Sequence, residues 1–301
     1  MSPKYPNRRE FLQSSLAVLA AGVVSRQALA SNAAKVVVGA HPWVYAATQP
    51  KTDITPILDT IFADMQYAGM DGIELMHTAL YPDDSVQRIG DLAQKHHLPV
   101  IGTSFGGEMW DRTKNAAVLE DAERVITRLA KLGGRTLGTS VGGTPAPKTP
   151  EQLDNQADVL KKIMKIGDAH GVVLNLHNHT YEVENGMHDL KGTLERIPDV
   201  KLGPDLNWLV RGGVNPVEFI EKYKSQIVFL HLRDQKADGV WSEAMGEGDT
   251  DYAAIARALH AIPFRGDAVI ELAHPGGFKL TRPLRESLKM SREFVRKTLG
   301  Y

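Results

Sequence analysis

Eight short apolar runs, each followed by a longer amphipathic segment, occupy the chain from residue 36 to its end. That alternation constrains the fold more than any other feature. Five of the runs are Val36–Ala40, Gly72–Leu75, Leu98–Thr103, Arg135–Val141 and Val172–Leu176. The other three each stop on a titratable residue: 201–205 on Asp205, 227–231 on His231 and 268–271 on Glu271. Between the runs, apolar residues recur at three-to-four spacing over Ile54–Ala68, Val86–His96 and Ala116–Leu132, which predicts helices. Thr149-Pro150-Glu151 reads as a cap and first turn, and Gly171 ends that helix ahead of the fifth strand. Further helices are expected after the fifth strand and over Val217–Tyr223, Tyr252–Leu259 and Pro283–Leu299.

No Pro/Gly/Ser-rich linker interrupts the series, so the expected fold is α/β: a closed (β/α)8 barrel of the TIM type, one domain over residues 31–301. A doubly wound open sheet is the alternative. It calls for a glycine-rich dinucleotide turn after the first strand, where the chain reads Gly39-Ala40-His41-Pro42-Trp43 instead.

Residues 1–30 read as a targeting segment rather than part of the fold. Asn7-Arg8-Arg9-Glu10-Phe11-Leu12 is a twin-arginine pattern, an uncharged and mostly apolar run follows from Leu12 to Val24, and Ala28-Leu29-Ala30 offers small residues for cleavage. A run of about a dozen residues is short for a bilayer span. The expectation is export by the twin-arginine route to the periplasm, with the mature chain beginning near Ser31 and containing no membrane span. That route carries folded proteins, which suits an enzyme that acquires its cofactor before export.

Lysine and arginine (35) nearly balance aspartate and glutamate (36), so there is no basic excess to favour nucleic acid. Cysteine is absent, which excludes disulfides, thiolate ligands and a cysteine nucleophile. Nothing in the sequence decides whether the protein forms a homo-oligomer.

In such barrels the active site lies at the C-terminal ends of the strands. Those ends carry His41 and Trp43, Glu74 and His77, Ser104, and the stretch Asn175-Leu176-His177-Asn178-His179-Thr180-Tyr181-Glu182. Strand alternation would set Asn175, His177 and His179 on one face. Asp205, His231 and Glu271 follow. A carboxylate where an apolar strand stops is costly to bury unless it is paired or ligated. Three such groups plus an imidazole from the fifth strand predict one divalent cation. Oxygen and nitrogen donors without thiolates suit Mn²⁺, Mg²⁺, Co²⁺ or Zn²⁺, with Mn²⁺ preferred. Taken singly, the same aspartate could be a helix cap and the same histidine merely hydrogen-bonded.

From about residue 36 to 298 the chain resembles the sugar phosphate isomerase/epimerase superfamily, the xylose-isomerase-like barrels. The resemblance rests on Asp71-Gly72-Ile73-Glu74-Leu75, His177-Asn178-His179-Thr180-Tyr181-Glu182, Asp205-Leu206-Asn207-Trp208 and His231-Leu232-Arg233-Asp234, with Gly246-Glu247-Gly248-Asp249-Thr250-Asp251-Tyr252 and Val269-Ile270-Glu271. It implies a divalent ion held by Asp205, His231 and Glu271. The fourth ligand is His177 or His179, with Asn175 standing where the family's 3-epimerases carry their first glutamate. Trp208 stands where those enzymes carry a histidine, and the chain falls with the His-Asn-His-x-x-Glu branch.

A divalent ion bound to a carbonyl and its neighbouring hydroxyl stabilises an enediolate once a base removes the intervening proton. Glu271 is the base the resemblance implies, with His179 or Glu182 as a second acid/base. His41, Trp43, Glu74, Trp208, Arg233 and Glu247 are the expected substrate contacts, and Gly246-Glu247-Gly248 is expected to cover the site. Asp249 or Thr250 is expected to cap the next helix. Reprotonation gives isomerisation or epimerisation of a keto- or aldo-sugar, and loss of a β-substituent gives a lyase or hydrolase acting on a keto-sugar or 3-keto-glycoside. A sugar-binding barrel without catalysis is the other reading, and an exported nuclease is the least compatible with the charge. Export also disfavours a phosphorylated substrate.

Overall fold

A computed structural model describes residues 36–301; the expected export segment and cleavage point lie outside the described residues. Eight parallel strands alternate with helices. They are β1 (Val37–Ala40), β2 (Gly72–Met76), β3 (Val100–Gly106), β4 (Thr136–Ser140), β5 (Val173–Leu176), β6 (Lys201–Leu202), β7 (Phe229–Leu232) and β8 (Asp267–Ile270). Their order, β6-β5-β4-β3-β2-β1-β8-β7, wraps β1 against both β2 and β8. Single bridges, Leu202 to Ile227 and Asp205 to His231, then bring β6 up to β7. The barrel is nearly closed, and its last bridge joins two of the three titratable strand ends.

The helices are α1 (Trp43–Ala46), α2 (Leu58–Tyr67), α3 (Ser85–Lys95), α4 (Asn115–Lys131), α5 (Pro150–His170), α6 (Thr180–Arg196), α7 (Leu206–Arg211), α8 (Pro216–Tyr223), α9 (Tyr252–His260) and α10 (Leu284–Leu299). Helix α4 shows why the periodicity was readable. Val118, Ala122, Val125, Ile126 and Leu129 lie on one stripe and are all buried. Thr149 and Gln152 form a reciprocal capping box on α5, and Gly171 closes that helix at φ 65°.

Three local expectations are corrected. The helix expected from Ile54 begins at Leu58, because Thr55–Ile57, which contains Pro56, forms a 3-10 turn. Neither Asp249 nor Thr250 caps α9; Asp251 does, accepting from the Ala254 amide. Segment α6 is interrupted at 184–187, where Asn185, Gly186 and Met187 adopt positive φ.

Candidate active site

The polar strand ends converge at the C-terminal mouth of the barrel. His177, Asp205 and His231 each offer one donor atom, all within 4.8 Å of one another, and all three residues are buried. The β6–β7 bridge sets Asp205 beside His231, and the His231 amide donates to Pro204 O at 3.0 Å. Asp205 divides its labour. Oδ1 caps α7, accepting from the Asn207 and Trp208 amides at 2.9 and 3.0 Å, while Oδ2 lies 3.4 Å from the Arg233 guanidinium. The cap and the ligand readings of this residue are therefore compatible.

His177 comes just past the end of β5, its Nδ1 buried and without a hydrogen-bond partner among the described residues. It is this residue, not Asn175, that joins Asp205 and His231. Asn175 lies fully buried in the lumen below, so close to β6 that a Cβ on Gly203 would come within 1.8 Å of its Oδ1.

Glu271 stands beside the trio. Its Oε2 is 2.5 Å from Arg233 and 3.1 Å from His231 Nδ1, and its Oε1 is 3.2 Å from His41 Nδ1. Burial would raise this carboxyl, but the Arg233 charge and then His231 hold it well below the usual range. His179 begins α6, with Nδ1 3.2 Å from both Ser140 Oγ and Tyr181 OH, and its ring stacked on Tyr181. Burial pushes its imidazole down to about 4, so it is neutral near pH 7.

His177, His179, His231 and Glu271 line a cavity of about 520 Å³, with Asp205 buried behind them. Its walls include Trp43, Phe105, Tyr181, Trp208 and Trp241, together with His41, His77 and His274. Among the described residues Arg233 is its one Lys or Arg side chain, packed over the rings of Trp208 and Trp241 at 5.4 and 5.2 Å. Tyr181 and Trp241 were not singled out from the sequence. Trp241 lies in the loop after β7, with no periodicity to point to it. Ser140 was also passed over, although it is the last residue of β4.

Three expected site residues are corrected. Glu74 lies in the lumen rather than on the cavity, its Oε2 2.5 Å from His231 Nε2, because it is the third residue of β2 and not its end. Glu182 is the glutamate of a capping box. It accepts from Ser140 Oγ at 2.6 Å, the Val141 amide at 3.2 Å and the His179 amide at 2.6 Å, and so faces the backbone instead of the cavity. Glu247 pairs with Arg282 at 2.5 Å and accepts from the Ala244 amide. Its loop does not line the cavity; the Asp234 carboxylate gathers the amides of Gly246, Gly248 and Thr250. A second cavity, of about 550 Å³, opens beside α8 and α9, but its Asp249 and Asp251 are taken up by backbone amides.

The fold and the clustered donors define an α/β barrel with a candidate metal centre at its C-terminal mouth. The sequence profile of the xylose isomerase-like TIM barrel family matches residues 62–296, and the chain belongs to that family. No curated protein sequence matches it significantly. Among solved structures it is similar to D-allulose 3-epimerase from Methylomonas sp. (18% identity, 88% of this chain and 98% of that one, TM-score 0.74). It is also similar to an L-ribulose 3-epimerase (21%, 88% and 95%, 0.71) and to a 3-keto-D-glucoside 4-epimerase from E. coli (17%, 87% and 100%, 0.68). At such identities the likeness is one of fold.

Proposed function

We propose that this protein is a divalent-metal-dependent isomerase or epimerase acting on an unphosphorylated keto- or aldo-sugar at the carbon next to a carbonyl. The observation that carries the reading is the convergence of two imidazoles and a carboxylate within 4.8 Å, with both imidazoles lining an aromatic-walled cavity and Asp205 buried beside them. A buried carboxylate with two imidazoles suits a first-row transition ion, Co²⁺ or Zn²⁺ through the imidazoles and Mn²⁺ through the carboxylate, more than Ca²⁺ or Mg²⁺. His177, Asp205 and His231 would hold it, with Glu271 near enough to complete the set. When bound, such an ion supplies Lewis-acid charge at a carbonyl oxygen and its neighbouring hydroxyl.

The chain's own residues supply the rest. Trp43, Trp208 and Trp241 offer flat apolar surfaces to a sugar ring. Arg233 places a fixed positive charge beside Asp205 and Glu271, where oxyanion character would develop. That same charge makes Glu271 a weak base, whereas neutral His179 keeps a lone pair to accept a proton. We therefore assign His179 the larger part in proton transfer, with Ser140 and Tyr181 orienting its ring. Glu182 holds the His179 amide and reaches its ring through Ser140 and at 3.8 Å directly. Among the described residues, the one Lys or Arg side chain lining the cavity is already paired, which favours a neutral sugar over a phosphate ester.

Elimination from a 3-keto-glycoside is the second reading. It is favoured by the apolar Trp43, Met76 and Phe105 in the cavity lining, against which an aglycone would fit. The E. coli neighbour is named for a 3-keto-glucoside substrate, with epimerisation as its reaction.

The test is incubation with keto-sugars, aldo-sugars and 3-keto-glycosides in D₂O with Mn²⁺, read by NMR. Deuterium at one carbon is expected for the isomerase, and release of the aglycone for the lyase. Binding of a sugar with neither change would reduce the protein to a binding barrel. We further propose periplasmic export through Arg8 and Arg9, for which replacing both by lysine should trap the precursor inside the cell. Unchanged export would remove the proposal.

A further inference from the structure

We infer that Glu74 is a positioning residue for the metal centre, fixing His231 so that it coordinates through Nδ1. The inference rests on the metal-site reading above. Glu74 comes from β2 and His231 from β7, 157 residues later, and the two meet inside the barrel. Glu74 is 1% exposed and His231 also 1%. The contact is 2.5 Å from Oε2 to Nε2, so the ring's Nε2–H donates to a full carboxylate and not to a carbonyl or water. An imidazole held this way has one nitrogen left. Nδ1 lies on the side of the candidate centre, 3.1 Å from Glu271 Oε2, and His177 packs edge-on to the ring at a centroid distance of 4.7 Å.

The lumen is built to admit the carboxylate. A Cβ at Gly138 on β4 would lie 3.3 Å from Glu74 Oε1, tighter than most such contacts, so the glycine leaves the space that Glu74 uses. A buried carboxylate without a partner would be strongly destabilising, and His231 is the hydrogen-bond partner found for Glu74 among the described residues. A carboxylate that orients a ligating histidine through its far nitrogen fixes the tautomer and raises the basicity of the donor nitrogen. Loss of such a partner typically weakens metal binding about 10- to 100-fold.

Two measurements test this. Titration of metal-free protein with Mn²⁺ by calorimetry should show binding in the wild type, weakened about 10- to 100-fold in Glu74→Gln. Glu74→Asp, which keeps the charge but withdraws it by one methylene, should fall between. Circular dichroism in chelator should show both variants folded. Second, ¹⁵N spectra of the wild type titrated with Zn²⁺ should shift Nδ1 of His231 while Nε2 stays protonated, a readout that needs no variant. Coordination through Nε2, or equal Mn²⁺ affinity in wild type and Glu74→Gln, would overturn the role of Glu74 and leave the metal site standing. No binding by the wild type would overturn the metal site and this inference together.

Discussion

Asp267 opens β8 at the end of the barrel away from the candidate site, half-buried and with its side chain directed where Glu74 also exerts its charge. Burial first, and then the negative charge of Glu74, push its carboxyl from 3.8 up to about 6. The folded protein therefore holds this proton more tightly than the unfolded chain. Stability falls as pH rises between those two values and stays lower above them. The full shift corresponds to about 3 kcal/mol, and partial exposure reduces the expected effect to about 1–2 kcal/mol. Asp267→Asn should thus raise Tm by roughly 2–6 °C near pH 7.5 and change it little near pH 4. Melting curves at the two pH values check this, and an equal effect at both would show that the charge is not the cause. Which residues were readable turns on the same question of height in the barrel. Asp205, His231 and Glu271 could be found because each follows directly on an apolar strand. Glu74 sits two residues before the end of β2, and the sequence carries no mark of which layer a strand residue occupies. Glu182 looked catalytic because a capping-box glutamate and a cavity glutamate have the same spelling; only the amides of His179 and Val141 distinguish them.

Strand β6 is only two residues long, so side chains have to do what a longer ladder does elsewhere. Asn178, just past β5, accepts from the Asp205 amide at 3.2 Å and donates to the Asp205 carbonyl at 3.3 Å. This pair of bonds ties the end of β5 to the one residue that must be both helix cap and candidate ligand. Asn178→Ala would leave the buried Asp205 amide without its partner, at a cost of about 1–3 kcal/mol, while the Asp205 carbonyl keeps the Leu209 amide. Tm should fall by roughly 2–6 °C, and Mn²⁺ affinity should fall with it because Asp205 loses its anchor. Thermal melts with and without Mn²⁺ provide the check. A loss of stability with metal affinity intact would mean that α7 alone holds Asp205. The elements as a group were legible wherever a stripe or a cap repeated, as on α4 and α5. They were not where a single residue redirected the chain. Pro56 delays α2, and Asn185, Gly186 and Met187 break α6 with positive φ that no hydrophobic periodicity announces.

At the scale of the described barrel, the candidate centre gathers several buried charges. Asp205, Glu271 and Glu74 bring three carboxylates into a space that holds one fixed cation, Arg233, and His231. Burial pushes the Asp205 carboxyl upward, Arg233 opposes that, and the nearby charge of Glu271 adds to it, so the pair is not fully compensated by the protein alone. A divalent ion among His177, Asp205 and His231 would supply the missing positive charge. It would also bind only the folded barrel, since β5, β6 and β7 bring its donors together from positions 177, 205 and 231. Such linkage stabilises by RT ln(1 + [L]/Kd), about 2.7 kcal/mol at a hundred times Kd. For a barrel of this length that predicts a rise in Tm of roughly 4–6 °C with saturating Mn²⁺, reversed by chelator, and little or no rise in a His177→Ala, His231→Ala double variant. Differential scanning calorimetry on the four samples measures it. An equal rise in the double variant would assign the stabilisation to another site, and no rise in the wild type would leave the buried acids balanced by Arg233 and His231 alone.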